Sequence, residues 1–174
     1  MGNENMNNLV MVNNQVDQAI EIMREVSEWG RNQGFCVWLD EWLTKELLLI
    51  SDNCEEDFYV GKVDGVDACC MIIQWQDSEY WPQAPRYEAA YIHKLCVRRE
   101  FAGQGILEQV LKWIKQECKN RGVRYIRLDT GWDKEKVKNI YLGLGFHIVK
   151  KLDYENNRSM ALYELLVDNT ELLK

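Results

Sequence analysis

The chain has 174 residues, a length typical of one domain that buries about two thirds of its unfolded surface. Apolar residues make up 47% of the chain and charged residues 28%, which excludes disordered, collagenous and low-complexity proteins. The formal net charge is −7, and no cluster of Lys and Arg offsets it. We therefore expect no nucleic-acid partner, because such a partner requires a basic patch.

The sequence also argues against a membrane protein and against a secreted one. Its longest apolar runs, Leu47–Ile50 and Ala68–Ile73, are far shorter than the roughly 20 residues of a membrane-spanning helix. The start of the chain shows neither the basic and apolar regions of a secretory signal nor the Ser or Thr of a myristoylation motif. We therefore expect a cytoplasmic protein that does not associate with membranes.

The cysteines favour neither disulfides nor a metal site. They form no C-x-x-C pair, and only two histidines accompany them, which is too few for the usual zinc sites. The cysteines are Cys36, Cys54, Cys69, Cys70, Cys96 and Cys118. Most of them lie in apolar segments, where a reduced cysteine packs as a small core residue. We expect no bound metal.

The spacing of apolar residues predicts alternating strands and helices. In chain order they are a strand over Leu9–Val12, a helix over Val16–Val26, a short helix near Asp40, strands over Phe58–Val63, Val66–Gln74 and Ala89–Val97, a helix from Ile106 to about Gly122, a strand over Val123–Asp129, a helix over Asp133–Gly143, and strands over Phe146–Lys151 and Ser159–Val167. Gly30 and Gly34 are expected to interrupt the first helix, and Asp64-Gly65 predicts a hairpin turn. These elements predict a single α/β domain over residues 1–174. Its central sheet is mixed, mostly antiparallel and built of six to seven strands, with helices on both faces.

The most informative segment is the turn that follows Ala89–Val97, because it carries Gly103 and Gly105 just before a predicted helix. Glycine allows positive φ and close approach, so successive N–H groups can converge on an anion at the positive end of the helix dipole. A phosphate fits such a turn, although a purely structural turn explains a lone G-x-G equally well. The P-loop motif and the third glycine of the dinucleotide fingerprint are absent, which disfavours ATP and NAD.

Two motifs in this half of the chain together resemble a known family. Tyr91–Val97 followed by Ala102–Ile106, and then Asn139–Phe146, are similar to the paired motifs of the GNAT superfamily of acetyl-CoA-dependent N-acetyltransferases. The firm match covers Glu88–Phe146, about a third of the chain. The resemblance implies a GNAT-like fold, acyltransferase activity and acetyl-CoA as co-substrate.

The resemblance also implies a pyrophosphate-binding loop at residues 102–107. The family pattern has Arg or Gln first, Gly fourth and a small residue sixth, and this chain keeps Gly105 but carries Ala102 and Leu107 at the other two positions. Because backbone amides make most of the contacts in this family, Ala102 should weaken binding rather than abolish it. Leu107 has to turn its side chain into the core.

The implied cofactor site includes the strand before the loop. The backbone of Leu95, Cys96 and Val97 should pair with the pantetheine arm like an added strand, which requires an open strand edge. Lys134 stands where the family often has Asn, and either a contact with the cofactor or a solvated lysine fits this position. The cofactor-binding residues implied are Leu95, Cys96, Val97, Ala102, Gly103, Gln104, Gly105, Ile106, Leu107 and Lys134.

Direct attack of an amine on a thioester requires a neutral amine, a polarised carbonyl and a proton for the leaving thiolate. By resemblance, Tyr141 protonates the sulfur, unless it only packs at the end of its helix, and the backbone N–H of Val97 polarises the carbonyl at a strand distortion. His93 matches a strand position where family members carry a Glu or His base, and an imidazole suits that role. A structural histidine fits equally well, with Glu79 and Glu88 as reserve bases.

Carboxylates and aromatic rings in the regions that usually build the acceptor face of this fold favour a cation. They are Asp40, Glu41, Glu46, Asp77, Glu79 and Glu88, with Trp38, Trp42, Trp75, Tyr80 and Trp81. The expected acceptor is a small primary amine such as a polyamine, an amino sugar or an amino-acid derivative.

Two other functions remain open on the sequence alone. One is a non-catalytic acyl-CoA-binding or sensor domain, which Ala102, Leu107 and Lys134 favour because they depart from the family pattern. The other is acetylation of a protein N-terminus or lysine. Exposed tryptophans at an edge would favour a homodimer.

Overall fold

The structure, a computed structural model, describes residues 8–167. Seven strands form one sheet in the order β1-β2-β3-β4-β5-β7-β6. The strands are β1 (Leu9–Val12), β2 (Phe58–Val63), β3 (Val66–Gln74), β4 (Ala89–Val97), β5 (Tyr125–Gly131), β6 (His147–Asp153) and β7 (Ser159–Leu166). The helices are α1 (Val16–Asn32), α2 (Lys45–Leu48), α3 (Ile106–Arg121) and α4 (Glu135–Gly143). The start of the chain, on which the expectations about secretion and lipidation rest, lies outside the described residues.

The sheet is mixed and mostly antiparallel, which confirms the predicted fold class. β1 with β2, β2 with β3, β5 with β7, and β6 with β7 are antiparallel pairs, whereas β4 and β5 run parallel. In residues 8–167 no helix has the length and apolar character needed to cross a membrane.

Internal contacts divide the described residues into two units. The first unit comprises residues 8–74 and 94–113, and the second comprises residues 75–93 and 114–167. β4 and α3 contribute residues to both units. The expectation of a single domain over residues 1–174 stays a prediction.

The core of the first unit forms where α1 packs against β2 and β3. Val16, Ala19, Met23 and Val26 recur at helical spacing, and all four are buried on the face of α1 that meets the strands. Phe58 of β2 is completely buried in the same cluster. Removal of a core side chain of that size typically costs about 3–5 kcal/mol, so α1 is held mainly by this face.

Gly30 does not interrupt α1, contrary to the expectation from sequence. It is buried within the helix, and a Cβ at this position would lie only 2.7 Å from Cγ2 of Val37. Gly30 therefore serves close packing, and α1 continues to Asn32 before Gly34 adopts a φ of +92°.

The short α-helix expected near Asp40 begins later, at Lys45. Asp40 begins a short 3-10 turn, and its carboxylate accepts a hydrogen bond of 2.7 Å from Arg31. Thr44 caps α2 instead, because its Oγ1 accepts from the N–H of Leu47 at 3.3 Å.

The predicted hairpin and β4 have the bounds expected from sequence, whereas β5 begins at Tyr125 rather than Val123. Val123 instead closes the end of α3, where its N–H donates to the carbonyl of Cys118 at 2.8 Å and Gly122 adopts a φ of +71°. This pair of features is a Schellman ending.

Parallel pairing of β4 and β5 positions the residues that matter later. The register joins Ala89 with Tyr125 and Tyr91 with Arg127. Two residues further along each strand are His93 and Asp129, and side chains two apart in a strand lie on the same face. The topology therefore brings His93 and Asp129 to one place in the second unit.

Candidate active site

The implied pyrophosphate loop joins the end of β4 to the start of α3 in the first unit. Gly103 and Gly105 adopt φ values of +76° and +74°, which residues with a side chain rarely reach. The first N–H groups of an α-helix have no acceptor within the helix, and α3 begins directly after Gly105. A Cβ at Gly103 would meet nothing within 4 Å, and one at Gly105 would meet only Oε2 of Glu108 at 3.9 Å. The N–H groups at the start of α3 therefore lie next to unfilled space. This arrangement is suited to binding a pyrophosphate.

Arg98 anchors the segment that leads into this loop. Its guanidinium donates to Glu25 at 2.9 Å and to the carbonyl of Asp67 at 2.9 Å, and it pairs with Glu100 at 2.9 Å. Its backbone N–H donates to the carbonyl of Ala68 at 2.8 Å. These contacts hold the loop entrance before any ligand binds. Sequence reasoning missed Arg98, since nothing in the local pattern marks its partners.

The residues that depart from the family pattern differ in burial. Ala102 is exposed, Ile106 is buried and fixes the start of α3, and Leu107 is half-buried. The side chain of Leu107 therefore turns only partly into the core. Gln104 is exposed, and its side-chain amide donates to the carbonyl of Glu100 at 3.0 Å.

The distortion of β4 lies at Lys94 rather than at Val97. Lys94 has a φ of +54°, an uncommon conformation for a residue with a long side chain. Only Ala89–Tyr91 of β4 pair with β5. Leu95–Val97 therefore lie beyond this ladder, and pairing with an added strand requires such a position. Cys96 is buried in the first unit, and its Sγ lies 3.6 Å from that of Cys70.

In the second unit, His93 lies between two carboxylates. Its Nε2 is 3.3 Å from Oδ2 of Asp77, and its Nδ1 is 3.9 Å from Oδ2 of Asp129. The side chains of His93, Asp77 and Asp129 are 21%, 4% and 15% exposed. We call these three residues the His93 cluster. One polar atom from each lies within 4.8 Å of the others, a donor set that also resembles a metal site.

Asp77 is an ionised carboxylate with several partners. Its Oδ1 accepts from the N–H groups of Glu79 and Tyr80 at 3.1 and 3.0 Å. Burial by itself raises the pKa of Asp77, but the contact with His93 and the two amides outweighs burial, so its pKa lies below the usual range. Nε2 of His93 lies 3.3 Å from Oδ2, but the two atoms are not aligned for a straight hydrogen bond.

Two tyrosines near this cluster stay protonated. Burial, followed by the charges of Asp129 and Glu79, raises the pKa of Tyr80. Burial also raises the pKa of Tyr163, whose hydroxyl lies 2.8 Å from Oγ1 of Thr130. These phenols therefore add no negative charge to the surroundings of the His93 cluster.

Tyr141 lies near the end of α4, also in the second unit. Its ring centroid is 5.7 Å from that of Phe146 and 5.7 Å from that of Tyr163. These neighbours fix the ring, which suits a proton donor and equally suits a packing residue. Lys134 precedes α4 in the same unit and is exposed.

Several carboxylates and rings expected at the acceptor face are engaged by cations of the chain itself. Arg127 of β5 has a side chain only 7% exposed and donates to Glu88 at 2.7 Å, Glu164 at 2.8 Å and the Tyr91 hydroxyl at 2.9 Å. Its guanidinium also lies 4.1 Å from the ring centroid of Trp81. Glu88 and Trp81 therefore belong to the structure of the second unit. The sequence signal was Arg127 between the apolar residues Ile126 and Leu128, which sequence reasoning passed over.

Three further candidates have similar partners. Asp40 pairs with Arg31 at 2.7 Å, and the rings of Trp38 and Trp75 face Lys94 and Arg121 at 5.6 and 4.5 Å. Of the expected carboxylates, Asp77 is the one that contacts a candidate base.

Comparison with known proteins decides the family. A sequence model of the Acetyltransferase (GNAT) family matches residues 23–146, more than half of the chain. The chain belongs to the GNAT family. It is therefore an acyltransferase that uses acetyl-CoA as co-substrate, which confirms the expectation drawn from the two motifs and disfavours the non-catalytic alternative.

Three known proteins illustrate the similarity. The uncharacterized N-acetyltransferase YesJ of Bacillus subtilis strain 168 is 26% identical over 134 residues, which is 74% of either chain. N-alpha-acetyltransferase 30 of Schizosaccharomyces pombe is 35% identical over 80 residues, 45% of this chain and 53% of that protein. The PaiA N-acetyltransferase of Thermoplasma acidophilum, solved in complex with coenzyme A, has a TM-score of 0.65 at 16% identity and covers 91% of this chain and 99% of its own. The structural match shows a shared fold.

Proposed function

We propose that this GNAT protein transfers the acetyl group of acetyl-CoA to the amine of a small cationic acceptor by direct attack. The observation that carries this proposal is the His93 cluster, in which a candidate base lies between two buried or nearly buried carboxylates. An imidazole accepts a proton near neutral pH, and adjacent carboxylates favour a positively charged ligand.

The cofactor residues are those implied by the family motifs. Gly103–Leu107 would bind the pyrophosphate through backbone amides, and the backbone of Leu95, Cys96 and Val97 would pair with the pantetheine arm. The left-handed glycines and the open space beside Gly105 support the first assignment. Ala102 and Lys134, both exposed, complete the set that the family motifs imply.

Three groups of the chain would carry the chemistry, and acetyl-CoA supplies the thioester. His93 takes a proton from the amine, the N–H of Val97 polarises the carbonyl, and Tyr141 gives a proton to the leaving sulfur. A phenol has a reference pKa of about 10 and a thiol one of about 8.5, so this last step depends on good placement of the hydroxyl. The aromatic contacts that fix the ring of Tyr141 support such placement.

The release of CoA thiol with a matched set of acceptors tests the proposal. Butanediamine, aminobutanol and aminobutyrate share one reacting end and carry a positive, a neutral and a negative group at the other end. We expect kcat/KM to fall in that order, by about tenfold or more overall. Tyr141→Phe should lower kcat with butanediamine. A preference for aminobutyrate, or for neutral acceptors, would contradict the cationic acceptor.

Acetylation of a protein N-terminus is the second candidate. The similarity to N-alpha-acetyltransferase 30 of fission yeast supports it, although that match spans 80 residues. Peptides with a free N-terminus, the same peptides with a blocked N-terminus, and peptides with an internal lysine would separate the acceptor types. Turnover of free N-termini that exceeds turnover of every small amine would favour this second function.

Location and assembly complete the proposal. We place the protein in the cytoplasm, where buried cysteines such as Cys70 and Cys96 would stay reduced. A homodimer is supported only by exposed aromatic surface such as Trp42. Cell fractionation and light scattering, respectively, test these two points.

A further inference from the structure

The His93 cluster has an arrangement that a general base alone does not require. Each ring nitrogen of His93 faces a different carboxylate, Asp77 at Nε2 and Asp129 at Nδ1. All three residues belong to the second unit. They come from three separate segments: the loop after β3, the strand β4 and the strand β5.

Asp77 determines which nitrogen carries the proton. An ionised carboxylate only accepts hydrogen bonds, so a lone pair on Nε2 would face negative charge at 3.3 Å. Nε2 is also buried, and a buried polar atom needs a partner of the right kind. The favoured neutral form of His93 therefore has its proton on Nε2 and its lone pair on Nδ1.

Asp77 is itself held in place independently of His93. Its Oδ1 accepts the N–H groups of Glu79 and Tyr80, and its backbone carbonyl accepts the N–H of Trp81 at 3.0 Å. Oδ2 is the oxygen that faces His93. The turn that follows Asp77 thus fixes the carboxylate before any substrate arrives.

Asp129 acts on the other nitrogen. Its Oδ2 lies 3.9 Å from Nδ1, too far for a hydrogen bond but close enough to attract a proton that arrives there. Protonation of Nδ1 places the positive imidazolium between two carboxylates.

We infer that Asp77 is a positioning residue that holds His93 in the Nε2–H form, so that Nδ1 takes the proton of the acceptor amine and Asp129 stabilises the imidazolium. This inference rests on the proposed function. The ammonium gives one proton to Nδ1, and its nitrogen then bonds to the acetyl carbon as the carbon–sulfur bond breaks. Tyr141 gives its proton to the departing sulfur, the nitrogen's second proton restores Tyr141 through solvent, and His93 later returns its own proton to solvent.

Histidine NMR tests the tautomer without reference to activity. The chain has two histidines. When the histidines are labelled with nitrogen-15, a long-range proton–nitrogen spectrum contains signals from only two side chains, those of His93 and the exposed His147. In the neutral imidazole, which the spectrum shows at alkaline pH, we expect the proton of His93 on Nε2. A wild-type spectrum with His93 in the Nδ1–H form would overturn the inference, and this measurement needs no variant.

Asp77→Asn provides the second test. Asn keeps an oxygen for the N–H groups of Glu79 and Tyr80 but presents an NH2 group to Nε2, so the proton of His93 should move to Nδ1. The expected result is a reversed tautomer and a kcat lower by about 10²- to 10⁴-fold, with acceptor KM changed far less. Asp64→Asn, in the exposed hairpin turn of the first unit, is the matched control and should leave both readouts unchanged.

Asp129→Asn separates the two carboxylates. It should lower kcat by about tenfold or more and leave His93 in the Nε2–H form. Two results would show that the role of Asp77 is purely structural. In one, Asp77→Asn keeps the wild-type tautomer of His93; in the other, it loses stability but has a normal kcat per folded molecule.

A divalent cation is the competing occupant of these three donors. Zn²⁺ added to the wild-type protein would then shift the His93 signals at a one-to-one ratio, and EDTA would remove activity. Either result would overturn the inference, whereas activity retained in EDTA supports it. Absence of transfer to any amine by wild-type protein would refute the proposed function and leave the tautomer measurement intact.

Discussion

Substitution of Gly105 by Ala tests the role assigned to the loop before α3. Gly105 has a φ of +74°, and a methyl group there would meet only Oε2 of Glu108 at 3.9 Å. The variant therefore suffers backbone strain without a clash inside the protein. Gly65, in the hairpin turn of the same unit, has a φ of +79° and no atom within 4 Å of an added Cβ. Gly65→Ala is thus a matched control for strain.

The two substitutions should have similar effects on stability. Placing an L-residue in the left-handed region costs about 1–2 kcal/mol, and the lower entropy of the unfolded chain offsets part of this. The net loss of about 1 kcal/mol corresponds to a fall in Tm of about 2–4 °C for a chain of this size.

Their effects on CoA binding should differ. If the loop binds the pyrophosphate, a methyl group at Gly105 would crowd the phosphate beside the amides, and each charge-assisted hydrogen bond contributes about 1.5–3 kcal/mol. Loss of one such bond weakens binding by about 10- to 150-fold. Isothermal titration with CoA, together with urea unfolding, separates the two effects. If Gly105→Ala and Gly65→Ala bind CoA with the same affinity, the loop does not hold the pyrophosphate.

The remaining predictions concern the second unit and the thiols. Arg127→Met should destabilise the protein by about 2–3 kcal/mol in urea unfolding, because it leaves two partly exposed carboxylates without their buried cation. Asp77 has a lowered pKa, so its stabilising contribution is present above its ordinary pKa and disappears as pH falls through the lowered value. As pH falls below about 4, the wild type should therefore lose more stability than Asp77→Asn. Burial raises the pKa of Cys69 to about 12, so a thiol reagent should modify exposed Cys36 and Cys54 quickly and Cys69 only after unfolding.

Local chemistry explains which elements the sequence could predict. The hairpin at Asp64-Gly65 is recognisable because both residues must adopt positive φ, and they do, at 51° and 79°. Gly30 misled the helix prediction because its role depends on Val37, which approaches the helix only in the folded chain. Glycine has a low intrinsic helix propensity, but close packing against Val37 outweighs it at this position.

The same distinction applies to the candidate site. Gly103 and Gly105 lie in one short segment, so their pattern is visible in the sequence. The His93 cluster depends on the parallel register that aligns Tyr91 with Arg127, and no local pattern encodes that register. Asp77 was recognised as an acidic residue of the acceptor region, but its contact with His93 depends on the turn at Glu79 and Tyr80.

The two carboxylates of the His93 cluster link the choice of acceptor to the proposed proton transfer. Before transfer, the positive charge near Asp77 and Asp129 belongs to the ammonium of the acceptor. After transfer it belongs to the imidazolium of His93, while the acetylated nitrogen is a neutral amide. The charge stays beside the same carboxylates, so the surroundings need little reorganisation during the reaction. The acetylated nitrogen is no longer attracted by them, so the acetylated acceptor should inhibit the enzyme more weakly than an unreactive analogue that keeps a positive charge at that nitrogen.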